Sequence, residues 1–94
     1  MDEQIAAEIA DEYLTRWRRL ALYAELAVME ENEDKDWENV VGRDGNEYEV
    51  LNYVLRDAGE RLRMVVAVSG RRRRATTVTL TSELIIRSDG TYVE

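Results

Sequence analysis

The chain has 94 residues, 45% of them apolar, and a formal net charge of −7. That length makes one domain with a small core, and the acidic balance works against non-specific binding to nucleic acid or anionic membranes. With neither cysteine nor histidine in the sequence, disulfides, thiolate metal sites, the commonest general base and the usual pH switch are excluded.

Residues 3–31 read as one long helix. Ile5, Ile9, Tyr13, Trp17, Leu20, Ala24 and Ala27 recur at three- and four-residue steps, which places them on one face. Asp2 suits the N-cap, and Glu3 the positive end of the helix dipole. A second stripe, Leu14, Leu22, Leu26 and Met29, lies off that face, so from Leu20 onward the helix is apolar nearly all round. One sheet cannot cover both sides, which predicts a partner over the second stripe. The helix must stop near Asn32. The acids from Glu30 to Asp36 then stand at its negative end, a placement that costs about 0.3–1 kcal/mol per charge and calls for a cation.

The apolar period then changes to two. Residues 37–41 read as a short strand, Gly42-Arg43-Asp44-Gly45-Asn46 as a tight turn, and residues 47–56 as a second strand. The apolar positions of that strand change parity between Val50 and Leu51, which predicts a bulge or burial on both sides. Residues 61–69 make a third strand with Leu62, Met64, Val66 and Val68 facing inward. Residues 75–87 make a long fourth strand, with Val78, Leu80, Leu84 and Ile86 on one face and threonines on the other. Tyr92-Val93 adds a stub after the Ser88-Asp89-Gly90 turn.

A helix followed by a four-stranded antiparallel meander is a two-layer α+β domain. This order resembles the cystatin-like arrangement and, more loosely, the curled-sheet half of NTF2-like proteins. Glu38-Asn39-Val40-Val41-Gly42, standing before a hairpin, is similar to the Gln-x-Val-x-Gly loop of cystatins, with glutamate in place of glutamine. The Pro-Trp pair of that family is absent, because the chain has no proline. The likeness therefore implies a fold and assigns no activity.

Carboxylates are plentiful but not arranged for chemistry. Glu47 and Glu49 share a strand face and read as surface charge. The acids of the first helical turns read as a solvated face paired with Arg16 and Arg19. Asp34-Lys35-Asp36-Trp37-Glu38 lacks the glycine and spacing of a calcium loop. The threonines of the fourth strand have no histidine to activate them. The expectation is no metal, no cofactor and no catalysis. Tyr48, Asn52 and Tyr53 are the candidate lining of a pocket in the concavity of the sheet.

The charges are segregated along the chain. Glu30–Glu38 is acidic, whereas Arg71, Arg72, Arg73 and Arg74 lie in a stretch without acids. The two runs enter the sheet from opposite ends, so pairing across a two-fold axis is expected. An anionic partner and an idle solvated loop are the alternatives for the tetrad. The functional expectation is a non-catalytic protein-interaction module that forms a small homodimer. Three other readings stand beside it: an acidic inhibitor or nucleic-acid mimic that binds a basic protein, an NTF2-like ligand-binding or catalytic cone, and nucleic-acid binding through Arg71–Arg74. The acidic start, Met-Asp-Glu-Gln, and the short apolar run Leu20–Met29, interrupted by Glu25, predict a cytoplasmic chain without a membrane span.

Overall fold

In the computed structural model, which describes residues 2–70 and 79–93, Asp2 starts the first helix. Its carboxylate accepts from the backbone N–H of Gln4 at 2.9 Å and of Ile5 at 3.2 Å, satisfying two of the donors that a helix start leaves open. Helix α1 covers Glu3–Leu20 and helix α2 Tyr23–Asn32. The strands are β1 (Lys35–Val41), β2 (Glu47–Arg56), β3 (Leu62–Gly70), β4 (Thr79–Ile86) and β5 (Tyr92–Val93). They form a five-stranded antiparallel meander in the order β1-β2-β3-β4-β5, the fifth being the two-residue stub. The fold is the α+β, helix-then-sheet arrangement read from the sequence.

The single helix expected over residues 3–31 is two helices. Ala21 and Leu22 are extended, at φ −73°, ψ 133° and φ −112°, ψ 136°, although neither glycine nor proline is present. Sheet dimensions explain the break. A straight helix of that length would run about 43 Å, whereas a ten-residue strand spans about 34 Å, so its last turns would overhang into water. α1 starts against the β1–β2 turn, where Ile5 approaches Gly42, and ends where the Tyr92 hydroxyl donates to the Arg18 carbonyl at 3.0 Å. The extended pair then redirects the chain. The Tyr23 hydroxyl donates to the Glu60 carbonyl in the β2–β3 turn, and α2 packs on β2 and β3. This buries Leu26 completely, worth about 2 kcal/mol, and that gain offsets the helical hydrogen bonds surrendered at the elbow.

The expected second stripe is thereby divided. Leu14 and Leu26 are in the core and Met29 packs against it, while Leu22 stands 61% exposed at the elbow. There is no continuous uncovered helix face of Leu14, Leu22, Leu26 and Met29 for a partner to cover. The core lies between the helices and one face of the sheet: Ile5, Ala6, Ala10, Leu14 and Leu26 meet Tyr48, Val50, Val54, Leu62, Met64, Val66, Val68 and Ile86.

The cation required at the end of α2 comes from β2. Arg56 donates to Glu30 at 2.8 Å, and the hydrogen bond with Glu30 holds its guanidinium above the ordinary arginine value. On α1, Glu8 is paired with Arg43 of the β1–β2 turn at 3.0 Å, and the Arg16 guanidinium lies over the Tyr13 ring at 4.5 Å. Glu8, one of the acids expected to pair along the helix, thus bonds between elements instead.

Candidate interaction surface

The register fixes which side chains share a face, because directly opposed residues of an antiparallel pair point the same way. β2 pairs with β3 without interruption from Tyr48↔Gly70 to Arg56↔Leu62. There is no bulge at the parity change. Leu51, Tyr53 and Leu55 instead point away from the helices, and β2 is apolar on both sides.

Two cross-strand rows on that open face carry most of its apolar area. One runs Trp37–Leu51–Ala67–Thr81 and the other Lys35–Tyr53–Val65–Glu83. Leu55, Arg63, Ile85 and Val93 follow toward one end, and Asn39, Glu49, Ser69 and Thr79 toward the other. Val65 and Ala67 are 1% and 8% exposed yet lie outside the helix-side core cluster, so neighbours on their own face shield them. Trp37 and Leu55 remain 63% and 47% exposed, and Leu51, Tyr53, Ile85 and Val93 are half-buried. No described element packs on this face.

Charge borders the patch. Arg63 donates to Glu83 at 3.2 Å and to Asp57 at 3.0 Å. A backbone N–H at Ala58, then Arg63, hold the Asp57 carboxyl below its ordinary 3.8. Lys35, the only lysine of the chain, stands at the β1 end of its row.

The expected pocket residues do not converge. Tyr48 is fully buried in the core, and Tyr53 is on the open face. Asn52 points to the helix side between Asp36 and Val66, where its Oδ1 is buried without a hydrogen-bond partner among the described residues. None of the three lines the depression of about 300 Å³ between α1 and β4, which is bordered by Asp11, Leu14, Thr15, Arg18, Ser82, Glu83 and Leu84.

Arg71, Arg72, Arg73 and Arg74, with the first residues of the expected fourth strand, lie outside the described residues. Gly70, just before them, pairs with Tyr48, whereas Lys35 pairs with Tyr53 at the other end of the sheet. Among the described residues no group of three or more acids is placed to hold a metal ion, and no helix is long and apolar enough to cross a membrane.

The open face was only half legible in the sequence, where burial on both sides of the second strand stood beside a bulge. Its signal was the parity change at Leu51: with one-to-one pairing, an apolar run on both parities of an interior strand means two apolar faces, of which the helices cover one. Compared with protein-family models, curated proteins and solved structures, the chain matches none.

Proposed function

We propose that this chain is a non-catalytic protein-interaction module whose contact surface is the open face of its sheet. The observation that carries the reading is the apolar face of Trp37, Leu51, Tyr53, Leu55 and Ile85 laid over the buried Val65 and Ala67, with charges at its border. Contiguous apolar surface rimmed by polar groups is the signature of a contact site. The electrostatic surroundings of the acids and tyrosines support the same reading. The resolved carboxyl displacements, at Asp44, Asp57 and Asp89, are downward, and those of Tyr13, Tyr48 and Tyr92 are upward. All of them move away from neutral pH, the opposite of what a general acid or base needs.

The test separates side chains kept for contact from side chains kept for folding. Trp37→Thr with Leu55→Thr should leave stability within about 0.5 kcal/mol of wild type, since both sites are exposed and threonine suits a strand. The same pair should abolish binding of a hydrophobic dye to the dilute native protein. A loss of several kcal/mol, or dye binding that does not change, rejects the reading.

A further inference from the structure

We infer that the partner on this face is a second copy of the chain, packed sheet to sheet about a two-fold axis that runs parallel to the strands between β2 and β3. The inference rests on the open-face reading and goes beyond it by naming the occupant and its orientation.

The argument is the self-complementarity of the rows. Such an axis carries each row onto itself in reverse, laying β1 of one subunit over β4 of the other and β2 over β3. In the row Trp37–Leu51–Ala67–Thr81, each large side chain then meets a small one: Trp37 over Thr81 and Leu51 over Ala67. In the next row, Tyr53 lies over Val65, and Lys35 reaches Glu83, which also accepts from Arg63 of its own subunit; beyond that row Leu55 lies over the Arg63 side chain, the one apolar-to-charged contact of this arrangement. Toward the hairpin end, polar meets polar, with Asn39 over Thr79 and Glu49 over Ser69. Aligned sheets cross at about 30°, which shifts the outer strands by roughly one residue, a displacement that the long Lys35 side chain spans.

An axis across the strands midway between these rows sets Leu51 over Tyr53 and Ala67 over Val65, but it leaves Lys35 and Glu83 without an opposite charge and puts Leu55 over Glu49; axes placed on a row do worse. One placed on the Lys35 row sets Lys35 against Lys35 and Glu83 against Glu83. One placed on the Trp37 row sets Tyr53 over Glu49 and Val65 over Ser69, apolar against polar. Like charges and unpaired polar groups are what an interface disfavours most.

Four strands at about 4.8 Å spacing and about 3.4 Å per residue present roughly 500 Å² per subunit. The pair therefore buries about 1,000 Å², the lower end of specific interfaces, consistent with a dimer that dissociates on dilution.

The experiment uses the single lysine. A zero-length carbodiimide crosslinker applied to the intact protein should join Lys35 to Glu83. Within one subunit those residues are three strands apart, about 14 Å, beyond the reach of that reagent, so the link can form only between copies. Charge reversal gives an independent arm. Lys35→Glu and Glu83→Lys should each dimerise roughly tenfold more weakly than wild type at low salt, because both symmetric contacts become repulsive. An equimolar mixture should recover wild-type association as a heterodimer, a rescue that effects on folding alone cannot produce. A wild-type monomer up to near-millimolar concentration overturns the inference and leaves the open-face reading to its own stability and dye test. A dimer with no Lys35–Glu83 link and no rescue overturns this orientation.

Discussion

Gly42 lies against the ring of Tyr48. A methyl group on Gly42 would stand 2.6 Å from Tyr48 Cε1, 2.8 Å from Asp44 Oδ1 and 3.1 Å from Ile5 Cγ2. The ring cannot retreat, because Tyr48 is fully buried and its hydroxyl donates to Asp44 Oδ2 at 2.8 Å. Burial opposes ionisation of Asp44, yet the bonds from Tyr48 and Asn46 outweigh it and hold the carboxyl below 3.8. Close packing of the helix start on the first hairpin thus accounts for a glycine at this position.

Gly42→Ala should therefore destabilise the domain by about 1–3 kcal/mol, the usual cost of overpacking a filled core. Urea unfolding measures it, and Tyr48→Leu in the same chain should recover part of the loss by freeing space. A neutral Gly42→Ala would refute the steric account.

Glu33 is a place where stability should rise. It closes α2 at φ 55°, ψ 38°, the only described non-glycine residue with positive φ. The following N–H, of Asp34, bonds to the Met29 carbonyl at 2.9 Å, a Schellman-type end. Glycine adopts this conformation without the steric cost and removes an acid from the negative end of the helix. Glu33→Gly should add about 0.5–1 kcal/mol and raise Tm by several degrees in a domain of this size. A lower Tm in a thermal scan would count against that account of the cap.

Asn52→Val should also stabilise, by about 1 kcal/mol, since it removes a buried acceptor that lacks a partner and suits the strand. Guanidinium denaturation reads the change. A loss of similar size would mean that Oδ1 bonds to a group, such as a water, that valine expels.

Acid should weaken the fold through Asp57 in particular. A carboxyl held low in the native state contributes stability that is present above its unfolded value of 3.8 and is lost as pH falls through the lower native value. Asp57→Asn should therefore be less stable than wild type at neutral pH, and the difference should close as the pH approaches about 2. Tm measured across that range tests it; a gap that stays constant would show that charge at Asp57 is irrelevant.

The sequence by itself determined the elements whose patterns are local. The Asp2 cap, the turn at Gly42–Asn46, the alternation in residues 62–68 and the bounds of the second strand depend on neighbours within a few residues, and they appear as read. Only the tertiary structure decided the rest. The helix breaks at Ala21 and Leu22 because the sheet is shorter than the helix would be, a comparison between elements that no local signal carries. Arg56 meets Glu30 because α2 folds back along β2. The open face follows from the pairing of β2 with β3, since the parity change at Leu51 has a meaning only once the register excludes a bulge. Local chemistry sets what each segment can become; which apolar surface ends up covered depends on lengths and registers that exist only after the segments meet.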